Sequence, residues 1–500
     1  MKLIKFTSLC LFAFLIVFNA CKKDENFTTD AGAKLSFSTD TLRFDTVFTQ
    51  LGSATRYFKV FNRNDKPIRI AKIALGNKAP ATYNLNIDGI AGRSFTNVEI
   101  GANDSIYVFA EVTINPNAPL SISPFVVSED LIFETNGNSQ RVVIESWGQN
   151  ANYLPNFKAK GSVSLLSAGN SNTVINWDDK KPYVIYGVLF VDSCTLRIAA
   201  GTHIYVHGGF ATTDKTLYRD GIIYVLPNAK IEAKGTLAQP IIIEGDRLEK
   251  EFANEADQWA GLIIGNRSQG NVLNFTTIRN SRVGIRLDSA ANLTLNSCKI
   301  YNTASSGFLG IHSTLKAENC LFYGGGGSSA QLEYGGVYDF KYCTMASFGS
   351  KIAALSANNF KCVEQNALGK CVRAIGYPLS MTASNCIFYG SKDDEISFFD
   401  VSGAGTIVGF NYDFKNCIVR VKDLLKPENT PDFLTKCKDC INADVRAKLF
   451  KKSSEGDYHL DTLSIAEMKA LPITNILSDI EGKLRDVQKP DIGCFEYQYK

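Results

Sequence analysis

The residues best suited to chemistry in this 500-residue sequence lie in a charged stretch that runs from Asp246 to Trp259. Asp246, Arg247 and Asp257 belong to it, and Arg286 follows on a later segment. Carboxylates near an arginine could hold a calcium ion and an acidic sugar, or exchange a proton with a substrate. The simpler interpretation is a solvated surface, because the spacing assembles no compact cluster of two carboxylates and a base. We therefore expect no catalytic site and keep these four residues as weak candidates.

Aromatic side chains form a second candidate set, because flat rings can stack on the rings of sugars. The candidates for binding are His203, Tyr205, Tyr218 and Trp259. The alternative is that they are surface residues of a sheet and bind nothing. The four histidines of the chain are scattered, so the clustered ligands of a metal site are missing and no metal is expected.

A short repeated pattern between residues 271 and 421 must position these groups. Each copy is centred on a cysteine, or on threonine in the first copy, and successive centres lie 22, 22, 23, 43 and 31 residues apart. Apolar residues alternate around each centre, as in a β-strand, and Gly or Asn closes most copies at a tight corner. A fixed period of this size indicates a solenoid, here a right-handed parallel β-helix whose coils stack. The centres are Thr276, Cys298, Cys320, Cys343, Cys386 and Cys417.

Thirteen cysteines in one chain raise the question of disulfides. The five repeat cysteines, called here the cysteine ladder, should stack inside the solenoid, where side-by-side Cβ vectors suit a disulfide poorly. We expect them to be buried thiols. Cys362 and Cys371 bracket a polar insertion and could close it with a disulfide. Cys437 and Cys440 could form a local disulfide or remain free.

The N-terminus has the features of an export signal. Basic residues precede a short apolar run, which predicts a signal peptide over residues 1–20. Ala20 directly before Cys21 resembles the lipobox of bacterial lipoproteins, which implies a lipid on Cys21. The charged residues in the polar tether that follows, 21–32, resemble the surface-export signal of Bacteroidetes lipoproteins. The resemblance implies a protein that is lipid-anchored in the outer membrane and exposed at the cell surface.

Residues 33–153 alternate between short strands and turns, which predicts a β-sandwich. Asn136 and Gly137 form a two-residue hairpin signal. The turn residues resemble those of immunoglobulin-like domains joined to bacterial surface modules. This part contains neither histidine nor cysteine, so we expect no catalytic chemistry there.

Residues 154–425 contain units of strand, corner and strand, with glycine–threonine corners at Gly201 and Gly235. These units resemble the first coils of bacterial β-helix proteins of the pectin-lyase-like superfamily. The resemblance implies an all-β fold, in which an immunoglobulin-like sandwich is followed by a β-helix, and it says little about chemistry.

The last part of the chain, residues 426–500, is expected to close the open end of the β-helix, with short helices at 443–450 and 465–470. Its end resembles the choice-of-anchor-type C-terminal signature of Bacteroidetes β-helix proteins, with Cys494 in place of the usual alanine.

Two functions from different classes remain. The chain has 53 Lys and Arg against 50 Asp and Glu, so no basic field indicates a nucleic-acid partner. The first function is a non-catalytic, monomeric surface module that binds a polysaccharide or another envelope component and needs no cofactor. The second is a polysaccharide lyase or glycoside hydrolase acting on acidic polysaccharide through the corner loops, with calcium if it is a lyase. The sequence favours the first.

Overall fold

The computed structural model describes most of the chain after residue 25. The described residues are 26–48, 53, 55–76, 81–114, 125–155, 163–170, 172–208, 210–212, 217–219, 221–248, 252–369, 371–401, 408–426 and 433–497. The predicted signal peptide and Cys21 lie outside them. The chain divides into two compact units, residues 1–150 and 151–500.

The first unit is a β-sandwich of ten strands in two five-stranded sheets, as the sequence predicts. Its strands are β1 (Leu35–Phe37), β2 (Thr41–Phe48), β3 (Arg56–Asn62), β4 (Ile68–Leu75), β5 (Ala81–Ile87), β6 (Ile90–Gly92), β7 (Ser94–Ile100), β8 (Ser105–Ile114), β9 (Phe125–Thr135) and β10 (Asn138–Gln149). The sheet orders are β1-β3-β8-β5-β6 and β2-β10-β9-β4-β7.

The predicted hairpin signal of the sandwich is confirmed between β9 and β10. Thr135 pairs with Asn138 across the two-residue turn. Asn136 and Gly137 take φ values of 50° and 76°, the left-handed conformation that such turns require.

The second unit is a parallel β-helix. Its strands are β11 (Asn152–Leu154), β12 (Val163–Ser167), β13 (Val174–Trp177), β14 (Tyr183–Ile185), β15 (Val188–Asp192), β16 (Thr195–Ile198), β17 (His203–Val206), β18 (Phe210–Thr212), β19 (Leu217–Arg219), β20 (Ile222–Val225), β21 (Lys230–Lys234), β22 (Ile241–Gly245), β23 (Gly261–Ile264), β24 (Asn271–Asn274), β25 (Thr276–Arg279), β26 (Ile285–Leu287), β27 (Asn292–Asn296), β28 (Lys299–Thr303), β29 (Phe308–Glu318), β30 (Leu321–Gly325), β31 (Ala330–Lys341), β32 (Thr344–Ser347), β33 (Leu355–Asn358), β34 (Phe360–Gln365), β35 (Cys371–Gly376), β36 (Leu379–Ser384), β37 (Ile387–Gly390), β38 (Ile396–Phe399), β39 (Phe410–Lys415), β40 (Ile418–Val419), β41 (Cys437–Lys438), β42 (Ile441–Asn442), β43 (Phe450–Lys452) and β44 (Asp457–Leu460).

Two long sheets form the walls of the β-helix. One has 11 strands in the order β11-β14-β17-β22-β25-β28-β30-β32-β37-β40-β42, and the other has 17 strands. Successive coils pair in parallel, so each inward residue lies above its counterpart in the coil below. One such stack, fully or almost fully buried, contains Leu273, Leu295, Ala317, Phe340, Ala383 and Phe414.

The cysteine ladder lies inside this core, as expected. All five side chains are at most 1% exposed, and all are free thiols. The residue before each ladder cysteine has a positive φ of 50–56°, which turns the chain between the two sheets. Three of these corner residues are asparagines, which tolerate that conformation. The corner residues are Ser297, Asn319, Tyr342, Asn385 and Asn416.

The C-terminal part departs from the expected arrangement. A short helix, α1 (Phe433–Lys436), and the strands β41 and β42 complete the last coil, with Phe433 buried in the core. Residues 443–497 instead lie on the outer face of the 11-stranded sheet. The reason is a set of apolar residues on that face, such as Ile387 and Ile418, which need cover from solvent.

Neither of the two short helices expected after residue 442 forms. Within the described residues, α1 is the one α-helix, and two 3₁₀ turns lie at Asp423–Leu425 and Ser453–Glu455. No helix in the described part is long and apolar enough to cross a membrane.

The polar insertion that begins after Asn358 forms the hairpin of β34 and β35. A disulfide between Cys362 and Cys371 joins its two strands. Leu368 at its tip is 92% exposed.

Candidate functional site

The four charged candidates from the sequence are not brought together. Within the described residues, each meets a different partner: Asp246 Oδ2 lies 2.8 Å from His207 Nδ1, and the Arg247 guanidinium lies 3.9 Å from the centre of the Phe252 ring. Two further ion pairs, of 3.0 and 2.7 Å, are Asp257–Arg282 and Arg286–Asp288. Among the described residues no group of three or more His, Cys, Asp or Glu side chains could hold a metal ion.

The aromatic candidates require a correction. Tyr205 is 7% exposed and its ring stacks on His203 at 4.1 Å. Trp259 is 1% exposed, and its indole N–H donates to the carbonyl of Arg279 at 2.9 Å. Neither ring offers an open face to a sugar, because neighbouring coils cover both. The side chain of Tyr218 lies outside the described residues.

A buried carboxylate, Glu244, links three strands of the 11-stranded sheet. Its Oε1 lies 2.5 Å from His203 Nε2, and its Oε2 accepts from Arg279 Nε at 2.6 Å. Burial would raise the pKa of Glu244, but His203 and Arg279 together lower it below its ordinary value. Arg279 Nη1 also donates to Tyr301 Oη at 3.2 Å. Glu244 is therefore a charged anchor for Arg279 and a poor proton donor.

Beside Tyr301 lies a groove of about 710 Å³, called here the tyrosine groove. One wall consists of residues at the ends of β28, β30, β32 and β37, and the other of the hairpin β43–β44 with its 3₁₀ turn. The C-terminal segment thus supplies one wall of the groove. The lining residues are Asn254, Tyr301, Asn302, Tyr323, Gly324, Phe348, Gly349, Ser391, Ser453, Ser454, Glu455, Gly456 and Tyr458.

Three tyrosines organise this groove. Tyr301 and Tyr323, directly paired on β28 and β30, stack in parallel with ring centres 4.7 Å apart. Tyr458, from β44, packs against Tyr323 at 4.8 Å with a tilt of 52°. Because the rings cover much of each other's faces, a molecule in the groove would contact mainly the ring edges and the hydroxyl groups.

Two of the hydroxyls have no hydrogen-bond partner within the part of the chain that the structure describes. They belong to Tyr323 and Tyr458. Tyr458 as a whole is only 3% exposed. Neither oxygen is itself fully enclosed. Burial raises the pKa of both tyrosines, so both hydroxyls keep their protons at neutral pH. Each hydroxyl can therefore donate to, and accept from, a molecule in the groove.

The tyrosines of the groove are not among the residues predicted from the sequence, although the repeat contains part of the signal for them. Tyr301 and Tyr323 each lie three residues after a ladder cysteine, at the same outward position of neighbouring coils. The repeat could have shown this pair. Tyr458 lies outside the repeat, so its position beside Tyr323 could not be predicted from the repeat spacing.

Comparison with known proteins supports the fold. Residues 169–321 match the family described as a pectate-lyase-like β-helix domain. This match and the parallel sheets support the pectin-lyase-like superfamily. The Bacteroidetes lipoprotein origin and the C-terminal signature stay predictions. No curated protein matches the chain.

Solved structures resemble the chain only distantly. A PapD-like domain of human CEP192 has 11% identity and a TM-score of 0.17, and the match covers 25% of this chain and 92% of that one. A GH87 α-1,3-glucanase catalytic unit from Streptomyces thermodiastaticus has 8% identity and a TM-score of 0.20, with 72% and 79% covered. These values carry no argument about function.

Proposed function

We propose that this protein binds glycans without transforming them, and that the glycan lies in the tyrosine groove. The observation that carries the proposal is the pair of hydroxyls on Tyr323 and Tyr458, which face the groove without a protein partner among the described residues. Each oxygen is open to the groove, so its donor and acceptor capacity is available to a molecule that lies there. A ligand rich in hydroxyl groups would satisfy both.

The rest of the lining supports the same class of ligand. Asn254, Asn302 and Ser391 add amide and hydroxyl groups, and Phe348 adds an apolar surface. Ligand sites commonly combine apolar rings with a few polar groups in a volume of roughly 300–1,000 Å³. A short stretch of a glycan, with its apolar ring faces and polar rim, matches this combination.

The alternative, a lyase or hydrolase acting on acidic polysaccharide, has less support. Its candidate carboxylates Asp246 and Asp257 are engaged by His207 and Arg282, and Glu244 is held as an anion by Arg279. None of these three lines the tyrosine groove. Catalysis would require these carboxylates to leave their present partners, whereas binding in the tyrosine groove would not.

Affinity gel electrophoresis over a panel of neutral and acidic polysaccharides tests the proposal. We expect at least one to retard the wild-type protein, and Tyr323→Phe and Tyr458→Phe each to weaken retention about three- to tenfold, because each loses one hydrogen bond. Tyr107→Phe, on the exposed face of the sandwich, is the matched control and should behave as wild type. Retention by no polysaccharide, or retention unchanged in both groove variants, would rule the groove out.

The proposal includes the cellular location implied by the resemblance of the N-terminus. A lipid on Cys21 would hold the protein in the outer membrane with the β-helix exposed to external glycans. Metabolic labelling with a fatty acid should mark the wild type and not Cys21→Ala, and protease added to intact cells should cleave the wild type. An unlabelled wild-type protein would contradict the lipid anchor and leave glycan binding unaffected.

A further inference from the structure

We infer that the tyrosine groove selects uncharged glycans and rejects those that carry carboxylate or sulfate groups. This inference rests on the glycan-binding function proposed above and names the class of glycan. It departs from the acidic polysaccharides that the sequence suggested for an enzyme.

Among the described residues that line the groove, one is charged, Glu455, and it is acidic. Glu455 ends the 3₁₀ turn between β43 and β44, and its side chain is 65% exposed. It pairs with Lys452 at 3.3 Å, and the lysine side chain is itself 63% exposed. An exposed pair of this kind is held only weakly, so the carboxylate can turn to a ligand.

The cations behind the groove are engaged elsewhere. Arg279 binds Glu244 with Nε and Tyr301 Oη with Nη1, so its link to the groove is the hydrogen bond to Tyr301. Lys299 lies 3.4 Å from Glu481. An acidic sugar could gain Arg279 or Lys299 only by breaking one of these contacts, and Lys452 only by drawing it away from Glu455.

Glu455 would therefore discriminate in two ways. Towards a neutral sugar, its two oxygens can accept hydrogen bonds from neighbouring hydroxyl groups, and such charge-assisted bonds are stronger than neutral ones. Towards an acidic sugar, the same carboxylate is a like charge, and juxtaposed like charges suppress binding. The neutral partners Asn254, Asn302 and Ser391 do not offset that repulsion.

The test compares glycans that differ only in charge. Each neutral polysaccharide retained in the gel is oxidised at its primary alcohol groups to the corresponding uronate and measured again. We expect the wild type to retain the neutral form at least about tenfold better than the oxidised form. Glu455→Lys should reduce or reverse this ratio, and Glu455→Gln should lie between the two. The ratio should also fall with added salt, which screens the repulsion.

Glu364→Lys, on the hairpin of β34 and β35, is the matched control, because Glu364 is also an exposed, paired acid and does not line the groove. It should leave the ratio unchanged. Equal retention of neutral and oxidised forms, with the loss in Tyr458→Phe preserved, would overturn the charge selection and keep glycan binding. Retention of neither form would overturn the proposed function itself.

Discussion

Arg485 and Glu496 form an ion pair in which Nη1 and Oε1 lie 2.8 Å apart and the side chains are only 2% and 7% exposed. Arg485 Nη2 also donates to Asn319 Oδ1 at 2.8 Å, at a corner of the β-helix. The guanidinium therefore ties the C-terminal segment to the outer face of the 11-stranded sheet. Since that segment supplies one wall of the tyrosine groove, the pair supports the proposed binding site from a distance.

Replacing Arg485 by methionine should destabilise the protein by about 3–5 kcal/mol, because it leaves a buried carboxyl without its cation. Burial raises the pKa of Glu496 to about 7. The loss should therefore shrink below that pH, where the uncharged carboxyl no longer needs the cation. Urea unfolding at two pH values measures both effects. Arg446→Met, at an exposed position of the same segment, should be neutral, and equal stability of the two variants would contradict the role of the pair.

The contacts of His459 should make the attachment of the C-terminal segment, residues 443–497, dependent on pH. The imidazole lies between Glu481, 2.9 Å from Nε2, and Asp457, 2.6 Å from Nδ1, with Lys299 on the far side of Glu481. Hydrogen bonding to Glu481 and Asp457 raises the pKa of His459 above its ordinary 6.5, and the same contact with His459 lowers the pKa of Glu481 from 4.5 to about 2.

The histidine binds its proton more tightly in the folded state, so its contribution to stability is complete below pH 6.5 and is lost as pH rises through the raised value. The contribution of Glu481 is complete above pH 4.5 and is lost as pH falls towards 2. The difference in Tm between wild type and His459→Gln should thus be largest between these limits, pH 4.5 and 6.5. A difference that does not vary with pH would rule out the charged form of His459.

The free cysteines should differ sharply in reactivity. Burial raises the pKa of Cys320 and Cys386, whereas hydrogen bonds from Cys417 and Cys437 lower the pKa of the partly exposed Cys440 to about 4. A thiolate with access to solvent reacts fastest. Among the free cysteines that the structure describes, an alkylating reagent followed by mass spectrometry should mark Cys440 first and the cysteine ladder only after unfolding. Labelling of the ladder at the same rate in native protein would contradict its burial.

Gly261 marks a place where two coils approach closely. Its φ is 130°, and an added Cβ would lie 2.0 Å from the carbonyl oxygen of Val283. Gly261→Ala should therefore cost about 3 kcal/mol, since both the backbone and the next coil must move. Gly369→Ala is the control, because φ is also positive there but no atom lies within 4 Å. It should cost about 1–2 kcal/mol, the strain of a side chain in the left-handed conformation. Chemical denaturation would measure both, and similar losses would show that the close approach does not matter.

The repeated part of the fold could be predicted because its information is local and periodic. The spacing of the ladder cysteines and the alternation around them indicated stacked parallel strands, and both sheets have that register. Asn136 and Gly137 likewise predicted their turn, because a two-residue hairpin depends on the conformations of those two residues alone.

The candidate site could not be predicted in the same way. Tyr205 lies between the inward residues Ile204 and Val206 but is covered in the structure, and Trp259 belongs to the core of the β-helix. Whether an outward side chain is open depends on what packs over it, and alternation does not carry that information. Burial of both rings argues against their predicted stacking on a sugar, whereas Tyr301, which lines the groove, is not among the residues predicted from the sequence.

The sequence by itself determined the coil, its period, the burial of the cysteine ladder and the sandwich that precedes it. Only the tertiary structure decided where residues 443–497 lie, and hence that Tyr458 meets Tyr323 across the groove. The physical reason is that a stacked repeat is specified by contacts which recur in every coil, so the same sequence pattern appears several times along the chain. The docking of the C-terminal segment rests on individual long-range contacts such as that of Arg485 with Asn319, and the segment itself has no repeat that would indicate them.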